Sequence, residues 1–149
     1  MSVHERSGID QRRERIASVQ DTVEQMAPGE TERTLLVDLA AAFHFRTSLA
    51  YFADHSAAEI VQNLRESLSF MQGRADGEIR VRVQASGDGH SILQVTMDDQ
   101  PFILDTVEEV LRVLEVPLLG FLHPILQVDR NESRRVVAVR PRTASGPHE

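Results

Sequence analysis

At residue 79 the apolar spacing of the chain changes, and that change limits the fold more than any other feature. Ile79, Val81 and Val83 alternate with Arg80, Arg82 and Gln84, a period of two that a strand turns into one apolar face. Ahead of it the steps are helical. Ser56-Ala57-Ala58-Glu59 is a capping box, in which the serine hydroxyl and the glutamate carboxylate each accept from a free amide of the first turn. Behind it Ile60, Val61, Leu64, Leu68 and Met71 line one helical face, and Gly73 stops the helix. Weaker helical spacing runs from Ile9 to Met26, broken by Ala27-Pro28-Gly29, and from about Thr31 to Phe52, with a bend expected near His44.

After residue 84 the elements alternate. Ser86-Gly87-Asp88-Gly89 supplies turn residues, and Ser91 to Met97 resumes as a strand, so a hairpin is expected. Asp98-Asp99-Gln100-Pro101 reads as a turn into a helix, with Pro101 at the first helical position and carboxylates at the positive end of the dipole. Ile103, Leu104, Val107, Val110, Leu111 and Leu114 form its expected buried stripe, which Pro117 ends. Leu118 to Val128 is an apolar run, read as a strand covered on both faces, with Pro124 forcing a sheet edge or a bulge. A turn over Asp129 to Ser133 then leads to a last strand, Arg135 to Arg140.

From Ser56 onward the order is α-β-β-α-β-β, a circular rotation of the ferredoxin-like β-α-β-β-α-β layout. The expected fold is α+β, with a four-stranded antiparallel or mixed sheet and helices on one face. The expected sheet order is 79–84, 91–97, 135–140, 118–128, which puts the Pro124 strand at an edge. The expected organisation is a tail over 1–8, a helical extension over 9–53, the α/β domain over 54–141 and a second tail over 142–149. One domain of 149 residues holds a core without help from metals or disulfides.

Charge and composition remove several functions. A net charge of −7 disfavours nucleic acid as a partner. No apolar run reaches the roughly 18 residues of a membrane span, and the N-terminus lacks the apolar core of a signal peptide. The absence of cysteine removes thiol chemistry and fits a reducing cytoplasm. There is no glycine-rich phosphate loop and no histidine pair at metal-ligand spacing, so no catalytic residue, metal or cofactor is expected. The carboxylates between Asp98 and Glu109 read as helix-start and surface charges, and His123 as a core or interface histidine.

One stretch is more specific. Thr96 to Val107, TMDDQPFILDTV, resembles the "DDxPFLVDS" signature at the N-terminal end of the large bacterial NAD-specific glutamate dehydrogenases. About fifteen residues on, Gly120 to Arg130 carries the histidine-proline pair, valine and arginine of the same family. The resemblance spans about residues 33–140. It departs at Gln100, where the family favours methionine, at Thr106, where it favours serine, and in the turn after Arg130, which lacks a glycine. It implies that Asp105, His123, Pro124 and Arg130 are family-motif residues.

The same resemblance implies an ACT-like regulatory or oligomerisation module without the catalytic domains. Its partner would be a second copy of itself or a larger dehydrogenase chain. Asp99-x-Pro101-Phe102 looks like the strand-to-helix turn at which ACT domains receive amino acids. An amino-acid ligand would then meet Asp98, Asp99, Gln100, Pro101 and Phe102, which makes a free-standing amino-acid sensor the alternative. Phe102 stands where amino-acid-binding ACT domains keep a glycine, and its ring is expected to fill that turn.

Overall fold

In the computed structural model, residues 3–43, 47–86 and 89–142 are described, with side chains from Gly8 onward. Helices α1 (Val3–Met26), α2 (Glu30–Phe43), α3 (Leu49–Asp54) and α4 (Ala57–Met71) come first. Strands β1 (Arg80–Ala85) and β2 (Ser91–Thr96), helix α5 (Ile103–Val113), and strands β3 (Leu126–Arg130) and β4 (Val136–Pro141) follow. This is the α+β order expected from the periodicity. The bend near His44, the tip of the first hairpin at Gly87-Asp88 and the tail beyond Arg142 lie outside the described residues.

The core is helical. Val19 and Val23 of α1, Leu36, Leu39 and Ala40 of α2, and Ile60, Val61 and Leu64 of α4 are all buried to 2 % exposure or less. Removing each large aliphatic side chain from water contributes roughly 1.5–3 kcal/mol. The α4 cap forms as the sequence predicts: Ser56 N–H donates to Glu59 Oε2 at 2.8 Å, and Glu59 N–H donates to Ser56 Oγ at 3.3 Å. At its other end Gly73 takes φ +69, a left-handed conformation cheap only for glycine.

The strands form two separate two-stranded antiparallel sheets, β1–β2 and β3–β4; the expected ladder between β2 and β4 is not formed. β4 enters the core, with Val136 and Val139 buried and the strand packed on α2, while Leu126 and Val128 of β3 pack against it half-buried. These two buried residues stand three apart, which a regular strand does not allow. Asp129 pairs with Ala138 but Arg130 with Val136, so Val137 is an extra residue in β4. This β-bulge resets the alternation, turning Val136 inward and leaving Val137 52 % exposed.

Three local readings change. The strand expected over 118–128 begins only at Leu126 and continues through Asp129 and Arg130, which were expected in a turn. Residues 118–125 are irregular, with Leu119 72 % and Phe121 55 % exposed; Pro124, without an amide proton, precedes the ladder and is not the bulge. Pro101 lies outside α5, which starts at Ile103 behind Phe102 in the left-handed region. No residue of α5 is buried, because no second layer covers the stripe expected to be its core. The helix closes in a Schellman arrangement, Val116 N–H to Leu111 O and Glu115 N–H to Arg112 O, with Glu115 at φ +55.

The β1–β2 hairpin is inverted relative to an ordinary half-buried strand. Ile79, Val81 and Val83 are 59–66 % exposed, while Arg80, Arg82 and Gln84 are half-buried. The polar face turns toward α4: Arg82 lies 4.6 Å over the Phe70 ring and bonds Gln94 across the strands. Cation–π contact and the aliphatic stem of arginine let a charged residue cover an aromatic surface.

Candidate functional site

The predicted site residues gather where β2 runs into α5, and the segment joining α4 to β1 packs beside them. Arg74, 2 % exposed, donates from Nη2 to Asp98 Oδ1 at 2.7 Å and from Nη1 to the Glu78 carbonyl at 2.9 Å. The second oxygen of Asp98 accepts from Gly77 N–H at 3.0 Å. A buried guanidinium is retained only when it is paired and hydrogen-bonded, and the Asp98 carboxylate meets that need. Hydrogen bonding and the charge of Arg74 hold the Asp98 carboxyl below its ordinary range.

Glu78 closes the same turn. It accepts from Ala75 N–H at 2.7 Å and from Arg80 Nε at 2.5 Å. The Arg80 bond, followed by the backbone bond from Ala75, brings its carboxyl down to about 2. Arg80 also donates to the Gln72 and Gly73 carbonyls, each at 2.7 Å. Arg130 donates to the Met71 carbonyl at 2.8 Å. Two arginines thus satisfy the carbonyls at the C-terminal end of α4, where cations are favoured.

The turn proper is more open. Asp99 pairs with Arg142 at 2.5 Å, joining the residues just past the ends of β2 and β4. Gln100 and Pro101 are exposed. Phe102 sits at φ +65 and is 75 % exposed. The left-handed backbone explains why glycine suits this position, but the ring lies outward rather than filling the turn. The Phe102 carbonyl accepts from both the amide and the hydroxyl of Thr106, at 2.9 and 2.7 Å.

Among the expected motif residues, Asp105 is exposed in the first turn of α5, His123 is exposed in the irregular segment, and Pro124 is half-buried beside it. Only Arg130 joins the cluster around the α4–β1 joint. Arg74, Arg80 and Gln72, whose Oε1 accepts from Val136 N–H at 2.9 Å, were not singled out from the sequence. No spacing marks them, since their partners are carbonyls and carboxylates brought close only by folding.

Beside this joint lies an open cleft of about 820 Å³, lined in part by Arg74, Asp76, Asp129, Arg130 and Arg134. Its charges are mixed, and Asp129 is engaged by Arg140. Among the described residues no group of three or more histidine, cysteine or acidic side chains is placed to hold a metal ion. Among them, too, no helix is long and apolar enough to cross a membrane.

The model of the family described as glutamate dehydrogenase, ACT1 domain, matches residues 39–149. That range holds both motif stretches, the Asp98–Phe102 turn and the Arg130 contact to α4. The chain belongs to this family. No curated protein and no solved structure matches it. The match begins inside α2, yet Val19 and Val23 of α1 are among the most buried residues of the chain. In this ACT1 domain the preceding helix is therefore part of the same core. The acidic turn of this chain is a joint: Asp98 and Asp99 each engage an arginine from another segment.

Proposed function

We propose that this ACT1 domain is a non-catalytic regulatory and oligomerisation module of a glutamate dehydrogenase of the large NAD-specific type, working in the cytoplasm by contact with its own kind or with a catalytic chain. The observation that carries the reading is the use made of the signature turn. Asp98 and Asp99 are engaged by Arg74 and Arg142, which suits them to transmit position between segments rather than to move protons.

The two hairpins, in this reading, belong to one four-stranded sheet with β2 parallel to β4. The Asp99–Arg142 pair supports it, because it gathers the ends of those two strands at one side. Closing that ladder would pair edges that are costly to leave open.

The test is to mix the 149-residue chain with a catalytic glutamate dehydrogenase polypeptide. Co-migration on a sizing column is then followed, together with the rate at sub-saturating glutamate. Co-migration with at least a twofold rate change is the expected result. Separate migration and an unchanged rate would refute the docking role.

A second reading, an amino-acid site at the Asp98–Phe102 turn, draws on the outward Phe102 ring, which leaves the start of α5 uncovered. Calorimetric titration with glutamate, aspartate and the neutral amino acids tests it. Heat that Phe102→Gly strengthens would favour it, and the absence of heat with every amino acid would remove it.

A further inference from the structure

We propose that Asp76 is a modification site, the residue at which this chain converts to isoaspartate, and that the Asp98 carboxylate sets how fast it does so. Asp76 and Gly77 form the tip of the turn between α4 and β1, which Glu78 N–H closes by donating to the Ala75 carbonyl at 3.1 Å. Gly77 takes φ +71 there, as the third residue of a tight turn often must. Both residues are exposed, and Asp76 lines the open cleft of about 820 Å³. Apart from its chain neighbours, nothing lies within 4 Å of the point where a side chain on Gly77 would begin. Neither bulk nor burial therefore keeps the Asp76 carboxyl from the next amide nitrogen, and water reaches both.

The reaction is a cyclisation followed by hydrolysis. The Gly77 nitrogen attacks Cγ of Asp76, so an N–Cγ bond forms and one Cγ–O bond breaks. The amide hydrogen leaves with the carboxyl OH as water, and a five-membered succinimide remains. A second water adds at the main-chain carbonyl of the ring and cleaves its bond to nitrogen. The chain then runs through the former side chain, and the old main-chain carboxyl hangs free. No oxidant, reductant or cofactor enters. The added main-chain carbon lengthens the turn and displaces the Glu78 carbonyl to which Arg74 donates.

Asp98 acts as a clamp on the first step. The hydrogen that must leave is the one Gly77 donates to Asp98 Oδ2 at 3.0 Å, and Asp98 is itself fixed by the buried Arg74. The nitrogen has to give up that bond before it can turn onto Cγ. Hydrogen bonding to Arg74 holds the Asp98 carboxyl below its ordinary range, which makes it a poor base, so it restrains the amide and does not assist it. Conversion thus waits on local opening of the α4–β1 joint, which needs less free energy than unfolding the helical core.

The test is prolonged incubation of the full chain at neutral pH, followed by trypsin and chromatography of the peptides. Cleavage after Arg74 and Arg80 releases residues 75–80 apart from Asp88-Gly89, the other such pair in the chain. Isoaspartate at position 76 is expected to form about tenfold slower in the native chain than in the same chain unfolded in urea. Asp98→Ala should recover about fivefold of that rate without urea, whereas Leu39→Ala, which weakens the helical core, should stay within about twofold of the native chain. Circular dichroism shows whether each variant is folded. Asp98→Asn, which keeps one acceptor, should fall between, and it replaces Asp98→Ala if that variant does not fold. Asp76→Glu, which would need a larger ring, should give no product. Conversion as fast in the native chain as in urea overturns the proposal, as does slower conversion in Asp98→Ala, which would make Asp98 a base. Equal acceleration by Leu39→Ala and Asp98→Ala also overturns it, because the route would then be unfolding of the core.

Discussion

The guanidinium of Arg74, at 2 % exposure, is held by the carboxylate of Asp98 at 2.7 Å across twenty-four residues of sequence. This contact ties the α4–β1 joint to the start of the turn between β2 and α5. Asp98→Ala leaves a buried cation without its carboxylate and is expected to cost about 2–4 kcal/mol. Asp98→Asn keeps one acceptor and should cost less. Urea unfolding midpoints of the two variants check both size and order. A loss below about 0.5 kcal/mol for Asp98→Ala would mean that the joint tolerates solvent at Arg74.

Acid should weaken the same joint. Asp98 and Glu78 both titrate lower in the folded chain than when unfolded, Glu78 near 2 against an ordinary 4.5. A depressed carboxyl contributes its stability fully above the unfolded value and loses it as pH falls through the folded one. The contribution is therefore expected to be intact at neutral pH and to fade from about pH 4.5 toward pH 2. Unfolding midpoints at descending pH measure it, and Glu78→Gln should flatten the decline. An identical slope in that variant would show that Glu78 carries none of it.

Phe102 holds a left-handed backbone with its ring mostly in solvent. A non-glycine residue there costs roughly 1–2 kcal/mol, and glycine gives part of the relief back as unfolded-state entropy. Phe102→Gly is expected to stabilise the chain by about 0.5–1 kcal/mol. Thermal melting of the variant decides it, and a lower melting temperature would mean that the ring packs against something after all.

The helical layer and the first hairpin should respond to mutation in opposite ways. Leu39→Ala removes a side chain with 0 % exposure and is expected to cost about 2–5 kcal/mol. Val83→Thr, on the outward face, should stay within about 0.5 kcal/mol in dilute solution. Trimming the chain to 39–149, the range the family model covers, removes Val19, Val23, Leu35 and Leu36 from the core. That shortened chain is expected to lose cooperative melting.

Much of this was legible from residue patterns. The capping box at Ser56 and Glu59, the helix behind it and the hairpin at 80–96 follow from local chemistry, and they formed where that chemistry is strong. Patterning located the apolar faces of β1 and α5 but not what covers them, since periodicity says only that one face differs from the other. The run 118–128 misled because apolar content alone does not separate a buried strand from an exposed segment. The bulge at Val137 had no signal, being a register shift between two strands. The signature turn was found by its residues; its anchoring to Arg74 and Arg142 depends on contacts twenty-four and forty-three positions away.

The bulge that brings both Val136 and Val139 onto α2 also divides the molecule in time. Amides of β4 are locked to the helical layer and should exchange with solvent only when the whole core opens. Amides of β1 and β2, pinned mainly at the Arg74 and Arg80 joint, can exchange whenever that joint lets go. Deuterium labelling would thus resolve a slow and a fast population of strand amides within one small chain. The fast one is the half in which association with a partner would leave the larger imprint.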